Sequence, residues 1–87
     1  MSTASHDWIE KNKSLHKTFT FKTFPSAIAF MVEVALFCEK IDHHPEWKNI
    51  YNKIEVLLTT HDAHGITNKD RELAVHMDEV FARASPS

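Results

Sequence analysis

Residues 25–60 read PSAIAFMVEVALFCEKIDHHPEWKNIYNKIEVLLTT, and the period of their apolar positions changes once, at the central proline. Before it, Ala27, Met31, Val34, Cys38 and Ile41 recur at intervals of three and four, with Phe30 and Phe37 widening the stripe. That spacing predicts an amphipathic helix from about Pro25 to Ile41. Thr23 or a neighbour can accept the free N–H groups of its first turn, where Pro25 also fits because its missing donor has no intrahelical partner there. The helix must stop by His44, which Pro45 pushes out of the α region. After the proline, Trp47–Tyr51 and Ile54–Thr60 are rich in aromatic and β-branched residues and flank the polar link Asn52-Lys53, which predicts a hairpin.

Working outward, a second hairpin is expected upstream. Trp8 and Ile9 begin a short strand, Asn12 to Ser14 form a polar turn, and Leu15 to Phe24 alternates Phe19 and Phe21 with Thr18, Thr20 and Lys22. Phe19, Phe21 and Phe24 are expected in the core rather than on a base-stacking surface, since no basic density accompanies them. Downstream, Ala63-His64-Gly65 turns the chain. Thr67-Asn68-Lys69-Asp70 is a capping-box variant whose acid can reach back to the cap's own N–H, so a last helix begins there. Its buried face should carry Leu73, Ala74, Met77, Val80, Phe81 and Ala84, with Arg71, Glu72, Asp78, Glu79 and Arg83 in water. The order ββαββα predicts an α+β domain, a four-stranded antiparallel sheet with two helices on one face. Residues 8–84 should form this single domain, residues 1–7 a disordered tail and residues 85–87 a frayed end.

Composition narrows the function classes. A domain of 87 residues has a thin core, burying only about 60% of its unfolded surface, so self-association would help it. The net charge is −2, and the ten Lys and Arg and twelve Asp and Glu form no long block, which disfavours nucleic-acid or membrane tails. The single cysteine, Cys38, falls in the helical stripe and reads as a small buried hydrophobe. One glycine in the whole chain rules out a GxGxxG or P-loop cradle. Lacking a signal-peptide core or a membrane-length apolar run, the chain is expected to be soluble and cytoplasmic.

Seven histidines remain. His6, His16 and His76 read as solvated surface. His43 and His44 lie where the first helix ends, and His61 closes the second hairpin, which brings them to a common edge of the sheet. Consecutive residues point to opposite sides, so His43 and His44 should not do the same job. With no HExxH or CxxC and two adjacent imidazoles that can rarely turn to one ion, a metal site is not expected. Acid–base chemistry fits three imidazoles, since their unperturbed pKa of about 6.5 lies near neutrality.

The residues carry a resemblance beyond their spacing. Glu39-Lys40-Ile41-Asp42-His43-His44-Pro45-Glu46-Trp47, Asn49, Tyr51-Asn52-Lys53, Thr60-His61-Asp62, Gly65-Ile66-Thr67 and Asp70 resemble the pterin-4a-carbinolamine dehydratases. The likeness runs from Trp8 to Leu73-Ala74. It implies loss of water from a 4a-hydroxytetrahydropterin, left by an aromatic amino acid hydroxylase, to give quinonoid dihydropterin, without metal or organic cofactor. It implies His43 and His61 as an acid–base pair and His44 as the residue that orients the pterin. Pro45, Thr60, Asp62 and Ala63 would shape the pocket, and Glu39 or Asp42 would hold an imidazole in its tautomer. Trp47 would pack in the core or stack on the pterin. The resemblance also implies homodimers joined through strands and homotetramers through helices. An alternative it raises is a non-catalytic dimerisation cofactor for transcription that uses a helical surface. Two departures stand out: with only seven residues before Trp8, the N-terminal helix of many members is expected to be missing, and His64 occupies a position where a small residue, often glycine, is usual.

Overall fold

The computed structural model describes residues 8–84. The expectations for residues 1–7 and 85–87 lie outside the described residues. The chain runs β1 (Ile9–Lys11), β2 (Ser14–Thr20), α1 (Phe24–Ile41), β3 (Glu46–Ile50), β4 (Lys53–Leu58), a 3₁₀ turn (His61–Ala63) and α2 (Asn68–Ala84). The strands form one antiparallel sheet in the order β1-β2-β4-β3. This is the α+β architecture predicted from the order of elements.

Alternation assigns the faces. Leu15, Phe19 and Phe21 with Ile54, Val56 and Leu58 are buried, and they meet Ala27, Phe30, Val34 and Cys38 of α1 and Leu73, Ala74, Met77 and Val80 of α2. Both helices therefore cover one face. Phe19 and Phe21 each pack on Phe30 and Phe81, with ring centroids 4.9 to 5.2 Å apart, which pins the two helices to the same strand. The other face, with Glu46, Leu57, His16 and Ile9 in one cross-strand row, is covered by neither α1 nor α2.

Local chemistry sets the boundaries. Thr23 is extended at φ −138° and its hydroxyl accepts from the Ser26 N–H at 3.1 Å, so α1 starts at Phe24. Strand β2 ends at Thr20 rather than Phe24, because its last ladder partner is Lys53, the first residue of β4. Phe24 consequently sits on the first helical turn and is 46% exposed, not in the core. Both Asn12 (φ 54°) and Lys13 (φ 64°) have positive φ, the pattern of a tight two-residue hairpin turn. At the other hairpin, the Asn49 amide donates to the Tyr51 and Lys53 carbonyls at 2.9 and 3.0 Å, holding Tyr51 at φ 52°.

Three polar residues depart from their expected surroundings. Asp78 was expected in water but is buried, accepting from Lys17 Nζ at 2.9 Å and Trp8 Nε1 at 3.1 Å. Lys17 explains it: the residue lies on the inward face between Leu15 and Phe19, its side chain only 7% exposed, and a cation so placed requires a counter-charge. His76 is half-buried and stacks on Phe37 across the helix pair, centroids 3.9 Å apart at 12°. Burial pushes its pKa down, against the charges of Glu79 and Glu33. His16 is also half-buried, its Nε2 without a hydrogen-bond partner among the described residues. At the end of α2, Ala84 is exposed rather than buried.

Candidate active site

The C-terminal end of α1, the exit of β4 and the first turn of α2 meet at one end of the sheet. Helix α1 ends on Asp42, which is left-handed at φ 55°, and the His43 N–H returns to the Cys38 carbonyl at 3.1 Å. That turn separates the adjacent histidines as expected from chain geometry. The His43 side chain is 11% exposed and that of His44 62%.

The other wall is a closed loop. The Thr60 N–H donates to the Gly65 carbonyl at 2.9 Å, and the Gly65 N–H returns to Thr60 at 3.3 Å, tying off the 3₁₀ turn that begins with His61. The loop leaves that turn through His64 at φ 57°, ψ 37°. Left-handed backbone strains a residue with a Cβ, so the conformation here favours glycine over the histidine present.

Asp70 joins the two walls. Its Oδ2 accepts the Thr67 N–H at 2.9 Å, closing the capping box anticipated from Thr67-x-x-Asp70, and accepts the Thr60 hydroxyl at 2.7 Å. The Thr60 and Thr67 hydroxyls are themselves 2.8 Å apart. Its Oδ1 lies 2.5 Å from His43 Nε2, and Asp70 has no exposed surface. Burial alone would raise the Asp70 pKa, but hydrogen bonds from His43, the Thr67 backbone and Thr60, together with the His43 charge, outweigh it and hold the carboxyl below its ordinary value. An ionised carboxylate only accepts. The proton of the short contact therefore belongs to His43 Nε2, which leaves Nδ1 as the nitrogen free to act.

The remaining two histidines have looser carboxylate partners. His44 Nε2 is 3.4 Å from Glu39 Oε1, and His61 Nε2 is 3.4 Å from Glu46 Oε2, with all four side chains well exposed. Between the walls lies a cleft of about 350 Å³ lined by Asp42, His43, His44, Thr59, Thr60, His61 and Asp62, within the size range of small-ligand sites. A larger depression of about 440 Å³ lies on the uncovered sheet face and includes His16 and Glu46. It lacks His43, His44 and His61 and is not where the imidazoles converge.

The structure thus brings His43, His44, His61, Thr60, Asp62 and Asp42 to one cleft. Pro45, Ala63 and Glu39 flank it, while Trp47 packs against the hydrophobic core. Sequence reasoning missed Asp70 as the partner of His43, and Glu46 as the partner of His61. A signal for Asp70 existed, since a capping-box acid faces back past the helix start toward whatever precedes it. Among the described residues no group of three or more His, Cys, Asp or Glu is placed to hold a metal ion.

The family model described as pterin 4 alpha carbinolamine dehydratase matches residues 1–80. The chain belongs to that dehydratase family. A relative from Prochlorococcus marinus (strain NATL2A), provisionally named a pterin-4-alpha-carbinolamine dehydratase, is 53% identical over 74 residues, 85% of this chain and 78% of the relative. One from Rhodopseudomonas palustris (strain BisB18), named in the same provisional way, is 51% identical over 77 residues, 88% of this chain and 76% of that protein. A Brucella melitensis crystal structure described as a transcriptional coactivator/pterin dehydratase shares 39% identity at a TM-score of 0.81, covering 85% of this chain and 81% of that one. A pterin dehydratase-like protein described as a RuBisCO assembly factor in the alpha-carboxysome matches at a TM-score of 0.69 over 84% of each chain, and at 20% identity it shares the dehydratase fold alone.

Proposed function

We propose that this member of the dehydratase family is a hydro-lyase that converts a 4a-hydroxytetrahydropterin into quinonoid dihydropterin and water. The observation that carries this reading is the convergence of His43 and His61, from two separate elements, on one cleft with a carboxylate behind each ring. One imidazole protonates the 4a-hydroxyl as the C4a–O bond breaks. The N5 lone pair forms the C4a=N5 bond, and the other imidazole takes the N5 proton, so water and a neutral product leave. Solvent then restores the two protonation states. Each positioned group contributes about 10² to 10⁴ in rate.

His43 is suited to this by its fixed tautomer, with Nε2 on Asp70 and Nδ1 available. His44, exposed at the cleft rim, orients the pterin. Thr60 and Asp62 line its seat, Pro45 and Ala63 shape the approach, and Glu39 and Asp42 bear on the rim imidazoles. No helix among the described residues is long and apolar enough to cross a membrane, and we place the reaction in the cytoplasm, in recycling of the pterin used by an aromatic amino acid hydroxylase, by a homodimer or homotetramer. The test adds the protein to freshly generated carbinolamine and follows quinonoid dihydropterin by absorbance. A rate equal to the uncatalysed one would reject the proposal.

One observation favours a second reading, an interaction module. Ile28, Val32 and Leu36 recur every four residues along α1 and are 36%, 57% and 70% exposed, a stripe that invites a partner helix. Partner capture that persists when His43 and His61 are both replaced by alanine, and is lost in Leu36→Glu, would support it.

A further inference from the structure

We propose that Glu46 is a positioning residue that acts through His61, an inference that rests on the dehydratase reading above. The sheet register places it. Glu46 is the first residue of β3 and stands opposite Leu57 of β4, with its side chain on the face that neither α1 nor α2 covers. Its neighbour Trp47 points the other way, into the core. Strand β4 alternates in the same manner: Val56 and Leu58 are buried, and Thr60, two residues on, reaches Asp70 on the helix side. His61 falls to the opposite side, where its Nε2 lies 3.4 Å from Glu46 Oε2.

The two proposed catalytic imidazoles are therefore met by carboxylates from opposite faces of one sheet end. His43 is held from the helix side by a carboxylate with no exposed surface, at 2.5 Å. His61 is approached from the open side, at 3.4 Å, by a carboxylate that is 60% exposed and pairs with the ring when it is protonated. Lys48, the cation two residues along β3 on the same face, is engaged by Glu55 at 3.7 Å and leaves Glu46 to the imidazole. Without Glu46, the His61 ring, 82% exposed at the start of a short turn, has no other polar partner among the described residues. A ring free to rotate seldom presents the same nitrogen to the substrate. Pro45 anchors this arrangement, fixing the backbone one residue before Glu46.

An exposed ion pair sets the scale of the effect. Glu46→Gln should lower kcat about twofold to fivefold at low ionic strength, with KM unchanged. The difference from wild type should shrink in about 0.5 M salt, where exposed charges are screened. Glu55→Gln, on the same face but paired with Lys48, controls for bulk charge and should leave kcat alone. The second measurement needs no turnover: ¹³C relaxation at His61 Cε1 reports ring order, which should fall in Glu46→Gln and hold in Glu55→Gln. A kcat loss accompanied by loss of ring order supports the proposal. Wild-type kcat at low salt, unchanged ring order, or a rise in KM alone overturns it. If the wild-type protein itself shows no turnover, the dehydratase reading fails, and the relaxation comparison still decides whether Glu46 orders His61.

Discussion

Replacing Asp70 with asparagine probes the fold and the chemistry through one heavy atom, a carboxylate oxygen exchanged for an NH₂ group. The amide keeps the size of the carboxylate but turns one acceptor oxygen into a donor. Asp70 now faces donors on both sides, His43 Nε2 at 2.5 Å and the Thr67 N–H at 2.9 Å. Either orientation of the amide therefore opposes one N–H with another. If the NH₂ group faces Thr67, the capping bond is lost, at about 0.5–2 kcal/mol. If it faces His43, the charged hydrogen bond is lost, at about 1.5–3 kcal/mol, unless the imidazole shifts its proton to Nδ1. Shifting that proton removes the free nitrogen we assign to catalysis. We expect a destabilisation of about 2–3 kcal/mol, a lowering of Tm by roughly 10–20 °C for a domain of this size. Assayed at a temperature where the variant is folded, kcat should fall by about 10² to 10⁴, the share of one positioned acid–base group.

The pH dependence adds a third readout. The folded Asp70 pKa lies below its ordinary value, so between the two the unfolded chain binds more protons and stability rises with pH. The contribution is complete above the unfolded carboxylate pKa of about 4 and is lost as pH falls through the folded value. Asp70→Asn should lack that segment of the acid unfolding curve. Thermal unfolding by circular dichroism, together with turnover measured from pH 3 to 8, checks all three. A variant with lowered Tm and wild-type kcat would refute the tautomer reasoning and leave Asp70 as a helix cap alone.

His43→Ala and His61→Ala should each remove most of the dehydratase activity, but only the first should lower Tm measurably, because it leaves Asp70 buried without its imidazole while His61 is a surface group; equal melting temperatures for the two would contradict this. His64→Gly should raise stability by about 0.5–1 kcal/mol in chemical denaturation, since glycine relieves the left-handed strain at a small unfolded-state cost, and a loss would show that the imidazole makes a stabilising contact. His76, whose folded pKa is depressed by burial, binds fewer protons than in the unfolded chain, so stability should fall as pH drops below about 6.5. His76→Gln should flatten that slope in denaturation midpoints between pH 7 and 5, and a slope equal to wild type would refute the assignment.

Where a rule acts between neighbours in sequence, the chain was readable. The three-and-four spacing through Ala27, Val34 and Cys38, the Thr23 cap and the Thr67-x-x-Asp70 box all act within a turn or two, and each stands as anticipated. The alternation around Phe19 and Phe21 located the inner face of β2. Lys17 and Asp78 could not be read this way. A lysine inside an apolar alternation looks like a surface interruption and an acid on a polar helix flank looks solvated, and only the fold brings the two together across 61 residues. His76 failed for the same reason, as its stacking partner Phe37 comes from the other helix. At the cleft, chain geometry alone predicted that His43 and His44 diverge and nearness in sequence offered Glu39 for an imidazole, whereas the carboxylates of His43 and His61 depended on register and on the angle at which α2 arrives.

Asp70 also shows why a domain this small ties its chemistry to its stability. A thin core leaves little room for a buried carboxylate that serves one purpose, since ionising such a group away from water is costly unless its oxygens are fully bonded. Asp70 meets that condition by spending Oδ2 on the fold, through the Thr67 N–H and the Thr60 hydroxyl, and Oδ1 on His43. The bonds that cap α2 and close the β4 exit therefore also keep the carboxylate ionised, and its ionisation keeps the proton on His43 Nε2. Acid that neutralises Asp70 should loosen the start of α2 and release the His43 ring in the same step, so hydrogen exchange at that turn and loss of His43 ring order ought to rise together as pH falls. His61, tied only to an exposed carboxylate, is free of this coupling.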